Sequence, residues 1–460
     1  MPDDAVAPAA NALPRWERIA LILLLGLFVA VGLNNLSNGA FIGQDFQVHL
    51  AATNHLITHP NEWFTFSNTS RPLIYWLAID GQRITQNKAP FEFASLIFIL
   101  LNAGALWLMH DLARRVIRSP ALRIAVIAFI AFLPVTLIAT VVFAGDAVAT
   151  PPFVLLCWCL VRWIEAPSPR DAMGYAVLGG VVLCVGHFAK FTFVLLPFAA
   201  LLLLFLFWRW QRLPPRRAWP FLVFIVLVPT AVAGWLWQKS THALASEPER
   251  HSFVWRGTGE MTWKSLLGLK RSDLRIFDAP GYWDGDSDDR RTTLPLLVSN
   301  DYSYPALLHL GIFTDVSDFA LNGALDNGTP RPEPQKIFSR WSVRTGVLFS
   351  ILAIVAVALF LWRLLQSVGR SLLAPSAVSA IGGVMAFAWF VPLVLVLPFT
   401  RHAYDWGYWL PRLITPALWF FGLELYVFLD RAIGTRTRVV GLVALVTALQ
   451  AFLHVRSVWY

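Results

Sequence analysis

The residues best suited to chemistry gather in the stretch 41–76, FIGQDFQVHLAATNHLITHPNEWFTFSNTSRPLIYW, which holds Asp45, His49 and Arg71 with Trp63, Tyr75 and Trp76 in an otherwise apolar chain. An Asp followed four residues later by a His on one helical face is a start for acid/base work. Alone, Asp45 reads equally well as a helix cap or a solvated carboxylate. Further charges recur at the edges of apolar segments. Asp146, in AGDAVA, either caps the helix that follows or positions an acceptor or a basic partner. Lys190, in GHFAKFTFVLLP, sits three residues after His187; it either snorkels to an interface or offers a compact positive charge to a phosphate whose lipid tail stays in the bilayer. Arg71 and Arg412 could serve the same phosphate with a fork of donors. Arg412 is the more telling, because PRLITP lies within an apolar segment, where an unpaired Arg costs several kcal/mol. His49, His187 and His402 could act as general acids, as metal ligands or as neither. No HxH or HExxH spacing links them, so no metal site is expected there. With no Gly-rich phosphate loop, Walker motif or GxSxG elbow, ATP-driven transport and serine hydrolysis lack support.

These residues have to be positioned by membrane helices. The 460 residues are 57% hydrophobic and 14% charged with a mean hydropathy of +0.58, too apolar for a single soluble core. The fold class expected is an all-α polytopic membrane protein with about eleven spans, near 17–35, 91–112, 122–143, 147–164, 173–188, 191–208, 218–238, 344–366, 376–399, 409–429 and 438–455. The first is read as a retained span, since it lacks a small-x-small cleavage site. The net charge of +9 belongs to arginine clusters in every second connection and so to topology, not to nucleic acid. By the positive-inside rule the N-terminus is cytoplasmic and the C-terminus extracytoplasmic. The break between the fifth and sixth spans is needed to keep the basic 209–217 connection on the cytoplasmic side. All of the polar residues considered for catalysis then converge on one outer face.

Three regions are expected: an N-terminal transmembrane module, 1–238, with the catalytic first outer loop at 34–90; an extracytoplasmic loop, 239–343, forming a small soluble cap; and C-terminal transmembrane helices, 344–460. In the loop, DGDSDD (Asp284, Asp286, Asp288, Asp289) lacks the Gly and Glu of a calcium loop and reads as a solvated acidic turn. RPEP at 331–334 reads as a stiff connector. Cys157, Cys159 and Cys184 fall in apolar segments and indicate no disulfide or zinc framework. The Trp residues read mainly as interfacial belts.

The order of these features resembles the GT-C superfamily of membrane glycosyltransferases, in particular the bacterial branch related to protein mannosyltransferases and lipid A aminoarabinose transferases. The motifs are an acidic residue in the first outer loop (GQDFQVH, Asp45), a basic-Pro-Leu-Tyr stretch (RPLIYW, Arg71 to Trp76), a second Asp in a short outer turn (GDAVA, Asp146), a Lys-containing turn (AKFT, Lys190) and a late Pro-Arg element (PRLITP, Arg412 and Pro416). Here Pro72 stands alone where two prolines are usual, and Leu413 stands where Tyr is common. The resemblance implies a transferase of the bacterial inner membrane that moves a sugar from a polyprenyl-phosphate donor to an envelope acceptor hydroxyl, with membrane lipids as its other partners and a divalent metal allowed but not required. In that scheme Asp45 is the base supported by His49, Asp146 positions the acceptor or a basic partner, Lys190, Arg71 and Arg412 bind the donor phosphate, and Tyr75, His187 and His402 line the acceptor side. The competing readings are a lipid or polysaccharide transporter, which predicts ionisable residues at mid-membrane and on both faces, and a non-catalytic membrane scaffold.

Overall fold

The computed structural model describes residues 13–39, 46–60, 72–86, 88–213, 215–245, 303–313, 333–369, 374–396, 410–434 and 436–458. Asp45, Arg71 and His402 lie outside the described residues, as do DGDSDD and most of 239–343. Among the described residues every regular element is helical.

The first span, α1 (Arg15–Ser37), is followed by two short helices, α2 (Phe46–Thr58) and α3 (Leu73–Ile84), and by a second long helix, α4 (Pro90–Arg114). The third expected span is broken. Pro134 cannot continue the ladder of α5 (Pro120–Phe132), and the chain bends by 57° into α6 (Pro134–Val141). Then come α7 (Gly145–Glu165) and α8 (Pro169–Ala189), which pack as an antiparallel pair. The expected break at 190 is present: Lys190 is extended, a 3₁₀ turn covers Phe191–Leu195, and α9 (Leu196–Arg209) follows. After α10 (Pro215–Phe221) and a π-helical stretch (Leu222–Leu227), α11 (Val228–Ala245) completes the seventh expected span.

Beyond it, α12 (Tyr304–Phe313) buries Leu310 and Phe313 in the main core, so part of the 239–343 connection lies against the bundle. Glu333 and Pro334, expected in a connector, open the 37-residue helix α13 (Glu333–Gly369); Pro is tolerated in a first turn, where its missing N–H has no helical partner. The chain ends with α14 (Ala377–Val391), the one-turn α15 (Leu410–Leu413), α16 (Thr415–Ile433) and α17 (Thr437–Val458). Nine described helices are long and apolar enough to cross a bilayer, ten when the bent α5–α6 pair counts as one. The expected span at 409–429 is the exception. Its helix, α16, carries Glu424, Asp430 and Arg431 and buries Trp419, Phe420 and Tyr426 in protein, so it is a central packing helix more than a lipid-facing one.

Charges sort to the two ends of this bundle. Glu17, fully buried at the start of α1, accepts hydrogen bonds from His110 Nε2 (2.9 Å) and from Arg123 Nε and Nη2 (2.7 Å each), clamping α1, α4 and α5. At the same end Arg115 pairs with Glu165, and Asp430 accepts the backbone N–H groups of Arg118 and Ser119. Arg212 donates to the carbonyl of Pro375, and Arg217 to that of Ile164. Exposed tryptophans mark both membrane levels. Trp219 and Trp237 lie 18 residues apart, and Trp341 and Trp362 lie 21 apart, or roughly 27 and 32 Å of helix, close to the thickness of a hydrocarbon core.

Candidate active site

Asp146 stands in the first turn of α7, one helix length, about 30 Å, from Glu165 at the charged end just described. The chain reaches this turn through a break at 142–144, and Gly145 allows the close approach: a Cβ there would lie 3.2 Å from the carbonyl oxygen of Ala189, at the end of α8. The turn is held from the side by Asn102 of α4. Pro151 has no N–H to give the carbonyl of Ala147 four residues earlier, and Asn102 Nδ2 donates to that oxygen instead, at 2.9 Å, while also bonding Phe98 O at 2.9 Å. Asn102 was not singled out from the sequence. A lone amide in an apolar span, together with an unserved helical carbonyl, is the signal that could have found it.

Two cations converge on Asp146. Lys190 Nζ donates to Oδ1, and Arg412 Nε lies 3.1 Å from Oδ2. Arg412 arrives from α15, whose geometry is fixed at both sides: Thr415 Oγ1 donates to Arg412 O (2.9 Å) and Trp389 Nε1 to Leu413 O (2.8 Å). The side chains of Asp146 and Arg412 are each 4% exposed and that of Lys190 is 14% exposed, so Lys190 is the member an incoming ligand meets first. One carboxylate against two cations leaves a net positive charge beside a helix N-terminus, where unserved N–H groups add to it. That arrangement suits an anion, and a phosphate above all. Both Asp146 oxygens face cations, so in this arrangement the carboxylate serves them and is not set up as a metal ligand. Among the described residues no group of three or more His, Cys, Asp or Glu side chains is placed to hold a metal ion.

His49 is buried on α2, its Nδ1 3.1 Å from the Tyr75 hydroxyl on α3, its ring edge-on to Phe143 and within electrostatic range of Asp146. Beneath these groups lies a second small core, separate from that of the bundle, formed by Ala52, Leu56, Ile74, Tyr75, Phe98, Phe143, Val148 and their neighbours. It fastens the α2–α3 pair to the Asp146 turn. His187 goes elsewhere: buried on α8, it lines an apolar cleft of about 240 Å³ with Phe198, Thr230, Gly234 and Trp237. The structure thus brings together Asp146, Lys190 and Arg412, with His49 and Tyr75 beside them, and sets His187 on a neighbouring cleft.

This order of helices has counterparts among known proteins. The family model for dolichyl-phosphate-mannose-protein mannosyltransferase matches residues 67–237, which include Asp146 and Lys190. The apo oligosaccharyltransferase of Archaeoglobus fulgidus superposes over 97% of this chain with a TM-score of 0.50 at 14% identity. The chain shares the fold of that archaeal oligosaccharyltransferase, and the mannosyltransferase family model matches it over residues 67–237. It spans 56% of the length of that archaeal protein. Two further solved structures are similar at lower TM-scores. One is the oligosaccharyltransferase AglB of A. fulgidus in complex with an inhibitory peptide and a dolichol-phosphate (0.48, 13% identity, 96% of this chain and 56% of that one). The other is ArnT of Cupriavidus metallidurans bound to undecaprenyl phosphate (0.36, 15% identity, 90% and 78%). No curated protein matches the sequence.

Proposed function

We propose that this protein is a GT-C glycosyltransferase that moves a sugar from a polyprenyl-phosphate donor to an acceptor hydroxyl of the cell envelope, at the outer face of the cytoplasmic membrane. The observation that carries the reading is the buried Asp146–Lys190–Arg412 cluster: two cations from distant parts of the chain share one carboxylate at a helix N-terminus, at one end of a membrane bundle. A donor of this class keeps its lipid among the helices and needs no nucleotide pocket. The match to the dolichyl-phosphate-mannose-protein mannosyltransferase family supports the same class of ligand.

The reaction we assign is a single displacement with inversion. The acceptor oxygen attacks the anomeric carbon and its proton passes to Asp45, while the bond from that carbon to the phosphate oxygen breaks and the lipid phosphate leaves with the electron pair. Negative charge grows on the leaving phosphate, so Lys190 and Arg412, with Arg71, stabilise the transition state more than the ground state. Asp146 holds the two cations apart and aimed. His49, fixed by Tyr75, lies four residues along from Asp45 and supports it. Purified protein given a radiolabelled polyprenyl-phosphate sugar and an envelope lipid extract should transfer label. Asp45→Asn should reduce transfer by at least 100-fold with its thermal unfolding unchanged. Equal transfer by the variant would remove Asp45 from the base role, and no transfer by the wild type from any lipid-phosphate donor would overturn the enzyme reading.

A further inference from the structure

One buried indole touches all three segments that carry the cation–carboxylate cluster. Trp389, on α14, is closed to solvent. Its ring meets Phe153 edge to face, with centroids 5.2 Å apart and planes at 71°, and meets Phe193 in the same way, at 5.1 Å and 85°. Edge-to-face packing is a preferred arrangement of aromatic pairs and fixes ring orientation as well as distance. Phe153 stands on α7 two turns beyond Asp146, and Phe193 lies in the 3₁₀ turn three residues after Lys190. Phe193 has no room to retreat, because Gly186 of α8 backs it and a Cβ there would fall on its ring. The third contact is polar. Trp389 Nε1 donates to the carbonyl oxygen of Leu413, next to Arg412, at 2.8 Å in a buried setting.

α15 is a single turn of four residues, too short to hold its own shape, and the carbonyls of Arg412 and Leu413 lie at its end, where helical partners run out. The placement of Arg412 therefore depends on the side chains that serve those carbonyls. Thr415 serves that of Arg412, but from the same stretch of chain, so it cannot locate α15 relative to Asp146 or Lys190. Trp389 can, because the same ring packs on Phe153 and Phe193. From this geometry we propose that Trp389 is a positioning residue of the lipid-phosphate site, setting the spacing of Asp146, Lys190 and Arg412 while itself closed to the ligand. The inference rests on the phosphate reading given above, and extends it to an uncharged side chain on a helix that carries no member of the cluster.

Binding of polyprenyl phosphate and of phosphate-free polyprenol to full-length detergent-solubilised variants tests this. Trp389→Phe keeps an aromatic ring and removes the donor; it should bind polyprenyl phosphate roughly 10-fold more weakly than the wild type, with polyprenol binding unchanged. That loss should vanish in an Arg412→Gln background, in which Asp146 keeps Lys190, because a residue acting through Arg412 then has nothing left to position. Trp210→Phe is the control. Trp210 Nε1 makes the same kind of bond to Ser367 O, at 3.1 Å, so its loss should lower the unfolding temperature comparably and leave phosphate affinity at the wild-type level. Phe193→Leu needs no change at Trp389: it loosens only the Lys190 side, and its loss of phosphate affinity should vanish in a Lys190→Met background. Additive losses in these cycles, or unchanged phosphate affinity in a folded Trp389→Phe, would overturn the inference and leave the phosphate reading standing. Equal binding of polyprenyl phosphate and polyprenol by the wild type would overturn that reading, and the inference with it.

Discussion

Removing the negative charge from Asp146 would leave Lys190 and Arg412 facing one another with nothing between them. Both Asp146 and Arg412 are nearly inaccessible to solvent, and breaking a buried pair on one side typically costs about 3–5 kcal/mol. Asp146→Asn is therefore expected to lower the unfolding temperature sharply. Adding Lys190→Met should restore much of the loss, since one of the stranded cations is then gone. Strictly additive losses in this double-mutant cycle, read by thermal unfolding in detergent, would contradict the shared-carboxylate geometry. The members of this cluster were legible in the sequence because charged residues are rare and costly in apolar segments. Their pairing was not: the sequence left Asp146 open between a cap and a holder of basic partners, and only the fold brings Arg412 across from the far end of the chain. Asn102 escaped notice because its use depends on Pro151 of another helix.

Elements hold these residues through close backbone approaches. A Cβ on Gly180 of α8 would fall on the carbonyl oxygen of Phe224 in the π-helical stretch, whereas a Cβ on Gly174, two turns earlier, meets nothing within 4 Å. Gly180→Ala should thus lose about 1–3 kcal/mol by overpacking, while Gly174→Ala should be neutral or gain up to about 1 kcal/mol from helix propensity. Thermal unfolding of the two variants side by side checks this, and equal effects would contradict the packing of α8 on that stretch. The apolar lengths and arginine clusters of the sequence located the helices well, including the break at Lys190. The bend at Pro134 was hidden because α5 and α6 are both continuous in hydropathy. The π-helical stretch was hidden because its cause is tertiary contact. The tenth expected span became the buried α16 because periodicity registers apolar faces without saying whether lipid or protein covers them.

Across the whole molecule, charge is divided between two ends. The Glu17, Arg123, Arg115 and Asp430 contacts lie at one, and Asp146, Lys190 and Arg412 at the other. The positive-inside rule assigns the first end to the cytoplasm. A cysteine placed at the exposed Arg118 should resist an impermeant thiol reagent in intact cells and react once the membrane is opened, whereas one at Ser67 should react in both states. The reverse pattern would invert the orientation and remove the outer-face site. Ionisable residues do occur on both ends, as a transporter would require. At the Glu17 end, however, Glu17, Arg123, Arg115 and Asp430 are spent on caps and ion pairs between helices, whereas at the other end Lys190 and Arg412 share the one carboxylate of Asp146 and leave an excess positive charge inside the site.

The central claim is that this excess charge receives a lipid phosphate, and binding of a polyprenyl phosphate to the purified protein tests it most directly. Lys190→Met leaves Asp146 paired with Arg412, so the variant is expected to fold. It should bind polyprenyl phosphate at least 10-fold more weakly than the wild type, while both bind the phosphate-free polyprenol equally and poorly. Equal affinity of the wild type and the folded variant for polyprenyl phosphate would contradict the account.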